Sequence, residues 1–296
     1  SWLPAAGVEY YYYDQLGSYF GDQPDDPALW EIPRFVDEVE QVRTALGLDH
    51  RSFFLLGQSW GGILAVEYAL KHQEHLRGLV VSNMMASVPA YNAYARDVLM
   101  PAMPPEALAE IQRLEAEGNH EHPRYMELLV PHHYEHHVLR MPAAEWPEPV
   151  NRAFRHLNPK VYVPMQGPSE LGASGKLVAW DRTADLASIT VPTLVIGARH
   201  DTMDPAHLEW MSGAFARGRY HHCPDGSHLA IYDDRALAAG PFSYRERHSE
   251  SLDDFVLRGL DSAMQADRAL AADVQALHDL AVGAGLLDGL APGAEL

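Results

Sequence analysis

The sequence predicts an α/β fold, a mostly parallel sheet flanked by helices with a helical insertion, and three observations carry that reading. Short apolar runs alternate with helix-patterned stretches over residues 8–83; the alternation then stops, and it resumes from about residue 189. The third is the run "FFLLGQSWGGIL", a hydrophobic segment leading straight into a serine fenced by glycines. Alternating strand and helix patterns imply parallel strands covered on both faces. A G-x-S-x-G segment between strand and helix is the tight turn that exposes a serine hydroxyl at the end of such a sheet.

Each element follows in order. "VEYYYYD" at 8–14 reads as a strand because β-branched and aromatic residues crowd it. The turn-rich "QLGSYFGDQPDDP" precedes a helix from about Ile32 to Leu46, where Phe35, Val36, Val39, Val42, Ala45 and Leu46 recur at helical spacing. Residues 52–56 form the next strand, Ile63 to His72 the helix after the serine, and "LRGLVVSN" at 76–83 another strand. From about Val88 to Asp185 the chain is rich in Met, Pro, His and Glu, with helical stretches such as "PEALAEIQRLEAEG" and no strand pattern. "ITVPTLVIGARHD" then reads as a buried strand, "PAHLEWMSGAF" as a helix, and "GRYHHCPDGSHL" as a strand and loop. Beyond about Ser249 an Ala-, Leu- and Asp-rich stretch reads as one or two amphipathic helices. The expected organisation is a core in two parts, 1–87 and 186–248, a helical cap at 88–185 and a helical tail at 249–296.

Composition narrows the function classes. Of 296 residues, 47% are hydrophobic and 21% charged, ordinary for a chain that collapses around a core. The 22 Lys and Arg stand against 41 Asp and Glu, a net charge of −19 that repels nucleic acid and anionic lipid. A small molecule or short peptide with a positive group is the better partner. The single cysteine, Cys223, cannot form an internal disulfide, which permits a cytoplasmic protein. No apolar run approaches the roughly 18 to 20 residues of a membrane helix, and the start has no signal-peptide pattern.

A serine hydroxyl becomes a nucleophile when a base takes its proton and a third group holds that base. In the elbow arrangement these follow along the chain as serine, carboxylate, histidine. Here the order is met by Ser59, Asp201 and His228, each in a loop just after an expected strand. Asp204 and Asp185 rival Asp201, but Asp201 alone directly ends an apolar strand. No cofactor or metal is expected. "HHYEHH" sets His132 with His136, and His133 with His137, at a spacing that can hold a metal, but it is not H-E-x-x-H, and an ordinary cap helix explains it better. Met84, Met85, Met100 and Met103 line an adaptable pocket or fill the core.

Taken together, "YYYYDQLGSYFGDQPDDPALWEIPRFVDEVEQVRTALGLD", "LLGQSWGGILAVEYALKHQEHLRGLVVSN", "MQGPSEL" and "PTLVIGARHDTMDP" resemble the proline iminopeptidase family of α/β-hydrolases over most of residues 2–245. The resemblance implies an α/β-hydrolase fold and a serine peptidase that releases an N-terminal residue, often proline, from a substrate with a free N-terminal amine. It implies that the Trp60 N–H serves the oxyanion hole and that Glu170, in "MQGPSEL", binds the amine. The sequence departs from the family at two points. It has no "HGGPG" segment, which supplies oxyanion-hole amides in the family, so the expectation is a fragment that lacks the first strands. Thr202 stands where a second glutamate usually follows the catalytic aspartate. An amino-acid ester or amide hydrolase is therefore the competing enzyme reading, and a non-catalytic hydrolase-like binding protein the competing reading of another class.

Overall fold

In the computed structural model, which describes residues 9–234, the first long element is helix α1 (Ile32–Ala45), whose Phe35, Val36 and Val39 are buried as the spacing requires. Strand β1 (Phe54–Gln58) feeds helix α2 (Trp60–His72) through the serine turn, and β2 (Gly78–Ser82) follows. The chain then runs through α3 (Val88–Tyr94), α4 (Pro105–Ala116), α5 (Pro123–Leu129), a π-helical segment (Val130–Val138), α6 (Glu148–Arg155) and α7 (Pro159–Met165). Strand β3 (Thr193–Ala198), helix α8 (Pro205–Ala214), strand β4 (Gly218–Cys223) and the short α9 (Ala230–Asp233) complete it. Residues 13–234 belong to one unit, which holds the sheet and the candidate site; residues 9–12 belong to another.

All pairings in the sheet are parallel and the order is β1-β2-β3-β4, with Gly57 opposite Val81 and Val81 opposite Val195. The inner strands "GLVVS" and "TLVIGA" are buried at every position, which is why they read as continuous apolar runs. The outer strands of the four are only partly covered. Ser59 follows β1, Asn83 follows β2, Asp201 lies beyond β3 and His228 beyond β4. In an open parallel sheet the carboxyl ends are where ligands and reacting groups gather.

Between β2 and β3 the chain is helical, apart from one isolated bridge from Ser87 to Asp181. Two expectations need revision or lie elsewhere. Residues 9–14 form no strand, and Tyr10, Tyr11, Tyr12 and Tyr13 are exposed. Aromatic and β-branched residues fit a pleated face, but a strand also needs a neighbour to take its backbone hydrogen bonds; none of the four strands pairs with this run. The tail expected to be helical at 249–296 lies outside the described residues.

Candidate active site

The turn after β1 is built by its glycines. Ser59 has φ 53° and ψ −123°, a conformation that L-residues rarely adopt. Its N–H donates to the Ser82 carbonyl at 3.0 Å, and the Gly62 N–H donates to the Ser59 carbonyl at 2.7 Å. A Cβ on Gly57 would lie 1.9 Å from the Gly61 carbonyl oxygen, so only glycine fits there. The second close approach is at Gly62, whose Cβ would lie 2.6 Å from Met84 Cβ, whereas a Cβ on Gly61 would meet open space. Trp60 opens α2, so its N–H has no intrahelical acceptor and sits at the positive end of the helix. The Trp60 indole N–H donates to Gln15 Oε1 at 3.1 Å, and its ring meets Phe35 edge-on.

Asp201 and His228 are brought together. Asp201 is fully buried, and its Oδ1 lies 2.8 Å from His228 Nδ1. The Met203 N–H donates to the same oxygen at 3.1 Å. Burial pulls the His228 imidazole down, but the Asp201 charge, its hydrogen bond and the Glu170 charge outweigh it and hold the ring above the usual histidine range. The His228 backbone is anchored too: its N–H donates to the His137 carbonyl at 2.9 Å, and its carbonyl accepts from Gln58 Nε2 at 2.8 Å. That last bond ties His228 to the residue just before Ser59. The Ser59 hydroxyl itself makes no hydrogen bond among the described residues.

The rivals of Asp201 have other partners. Asp204 caps α8 by accepting the Ala206 N–H at 2.9 Å, and Asp185 pairs with Arg182 at 3.2 Å.

Two further groups touch the pair. The Thr202 hydroxyl, fully buried, lies 3.1 Å from His228 Nδ1 and 3.4 Å from Asp201 Oδ1. Asn83, unmarked as a site residue by the sequence reading, donates Nδ2–H to Asp201 Oδ2 at 2.6 Å and accepts the Ser82 hydroxyl at 2.7 Å. Its φ of 51° is one asparagine tolerates better than most residues. The signal was in the sequence: "VVSN" ends an apolar strand in polar residues, as "GARHD" does.

Glu170 lies on a loop held by aromatic hydroxyls. Tyr162 donates to its carboxylate, Tyr91 donates to its carbonyl at 2.8 Å, and its N–H donates to the Tyr134 hydroxyl at 3.2 Å. Asn92 clamps the same loop by pairing with both backbone groups of Ala173. Burial first, then the Glu170 charge, raise the Tyr162 hydroxyl well above its ordinary range, so it stays a donor.

The histidine run serves this loop and the His228 loop. Its π-helical turn differs from the expected α-helix, and His133 Nε2 lies 3.0 Å from the Glu170 carbonyl while His137 Nδ1 lies 3.0 Å from that of His200. Burial pushes His133 down to about 4, so it is neutral. Met84, Met85 and Met103 are buried in the core.

The pattern of the alpha/beta hydrolase fold matches residues 3–235. The proline iminopeptidase of Flavobacterium johnsoniae is 57% identical over 231 residues, 78% of this chain and 77% of that protein. That of Chitinophaga pinensis is 47% identical over 235 residues, 79% of each. Among solved structures, the proline iminopeptidase of Mycobacterium smegmatis superposes with a TM-score of 0.67 at 29% identity, covering 92% of this chain and 80% of the other. VinJ gives a TM-score of 0.73 at 29% identity over 79% of each chain. The chain belongs to the α/β-hydrolase fold and, within it, to the proline iminopeptidase family.

Proposed function

We propose that this chain is a serine aminopeptidase that releases an N-terminal residue, proline among them, from short peptides or aminoacyl amides. The observation that carries the reading is the buried Asp201–His228 pair at 2.8 Å, joined through Gln58 to the strained turn of Ser59. In this mechanism Ser59 Oγ attacks the carbonyl of the first residue while His228 Nε2 takes the hydroxyl proton. Asp201 at Nδ1 holds the productive tautomer and faces the imidazolium that forms. The Trp60 N–H, with the α2 dipole behind it, donates to the developing oxyanion. His228 then passes its proton to the leaving amine, and water, deprotonated by the same histidine, releases the acyl group from Ser59. Glu170 holds the substrate ammonium, and its charge already reaches His228. In this reading the helical segment 88–185 is the cap that carries Glu170.

Hydrolysis of proline and alanine arylamides by the wild type and by Ser59→Ala tests this. Turnover of the arylamides that Ser59→Ala loses supports the reading; near-wild-type turnover by that variant removes Ser59 from the chemistry. One observation favours the ester or amide hydrolase reading. The Thr202 side chain is turned into the Asp201–His228 pair, leaving Glu170 without a second carboxylate from that position. Faster turnover of N-acetylated esters than of free-amine arylamides would select it.

A further inference from the structure

The lower end of α2 carries a donor cluster that the proposed chemistry does not use. Glu40 of α1, His72 at the last turn of α2 and His75 just after it each bring one ligand atom within 4.8 Å of the others. Tetrahedral sites with metal–donor bonds of about 2.0–2.1 Å set donors roughly 3.4 Å apart, so closing this set on an ion takes side-chain shifts on the order of 1 Å. His75 Nε2 is already 3.9 Å from Glu40 Oε1 and 3.6 Å from Glu74 Oε1. The His72 and His75 rings face each other 6.0 Å apart. His72 Nε2 is buried with no hydrogen-bond partner, a cost that native structures ordinarily avoid.

We propose that Glu40, His72 and His75 bind a divalent transition-metal ion, in the first place Zn²⁺, with the exposed Glu74 carboxylate as the fourth donor. Two imidazoles and two carboxylates are a zinc-compatible set. Arg43 donates to both Glu40 oxygens, at 2.6 Å and 2.8 Å, and the Tyr68 hydroxyl donates to Oε2 at 2.7 Å, so the carboxylate is held in place. Glu40 Oε1, 3.9 Å from His75 Nε2, also accepts from Arg43 at 2.6 Å and from the Thr44 hydroxyl at 3.5 Å, so an ion bound there shares or replaces these bonds. The Glu40 and Glu74 carboxylates offset the charge of the ion. The partly exposed His75 leaves an entry path.

The ion pins α1 to the end of α2. The 13 residues of α2 separate it from Ser59 by roughly 20 Å, so its effect falls on stability and not on the reaction. The test is calorimetric titration of the full, chelator-stripped chain with ZnCl₂, with melting curves in its presence and absence. One saturable site and a raised Tm are expected in the wild type. Both His72→Ala and His75→Gln should lose at least about tenfold in affinity, as even outer partners of metal sites do. Exposed His136→Gln should bind as the wild type does, and His75→Gln should keep arylamide turnover. His75 is on the surface, so its variant reports even if His72→Ala folds poorly. No saturable site in the wild type, or unchanged affinity and Tm gain in His75→Gln, overturns the proposal.

Discussion

Replacing Asn83 should damage the reaction although Asn83 touches no substrate. Its Nδ2–H gives Asp201 Oδ2 a hydrogen bond of 2.6 Å inside a fully buried carboxylate. Hydrogen bonds to charged groups are worth about 1.5–3 kcal/mol. If the whole bond were felt only in the transition state, its loss would lower kcat/KM by about 10- to 150-fold. Part of the bond is present before reaction, so a loss near the lower figure is expected. Deleting the amide also leaves Asp201 more charge to place against His228, so the acid limb of the kcat/KM profile should move up. The φ of 51° separates the amide from the backbone: Asn83→Ala carries an added left-handed cost of about 1–2 kcal/mol, while Asn83→Gly does not. The assay is arylamide kcat/KM from pH 5 to 9 for both variants, with melting curves. Wild-type kcat/KM and an unmoved acid limb in Asn83→Gly would refute the positioning role.

Other outcomes follow from the same geometry. Asp201→Asn should lower turnover by about 10⁴, as loss of the orienting carboxylate does, whereas Asp204→Asn, which alters only a helix cap, should leave turnover near wild type; the reverse would misplace the acid. Because His228 sits above the usual histidine value of about 6.5, the wild-type kcat/KM should rise with pH through a point above 6.5, and Glu170→Gln should lower that point by removing one of the raising charges. The linked stability has the opposite slope: a raised histidine adds stability that is complete below about 6.5 and is lost as pH climbs through the folded value. Thermal melts of wild type against Asp201→Asn, taken from about pH 6 to 9, read it. Glu170→Gln should also cost free-amine substrates about 10- to 150-fold in kcat/KM while sparing N-acetylated ones; an equal loss on both would make Glu170 a support of its loop.

Much of this was legible because the physics was local. The buried strands β2 and β3 appear as unbroken apolar runs, and the Ser59 turn as glycines, since there only glycine avoids the 1.9 Å approach at Gly57. Asp201 and His228 could be chosen by order along the chain and by position after a strand. The parts that were missed depend on long-range pairing. "VEYYYYD" has strand composition, yet residues 9–14 form no strand. Asn83 looks like an ordinary strand-end residue until β2 and β3 lie side by side and aim it at Asp201, and the contact of the Thr202 hydroxyl with the Asp201–His228 pair is visible only in the fold. His133 and His137 sit at a helical spacing that can hold a metal, but in the fold one ring nitrogen of each meets a backbone carbonyl of a distant loop, His133 Nε2 that of Glu170 and His137 Nδ1 that of His200.

The central claim is that Ser59 is a nucleophile activated by the buried pair, and covalent labelling tests it most directly. The full chain is treated with a fluorophosphonate and the adduct is mapped by mass spectrometry, beside His228→Ala and Asp201→Asn. A single adduct on Ser59, slowed strongly in both variants, is the predicted result. No adduct on Ser59, or labelling at an equal rate when His228 is gone, would contradict it.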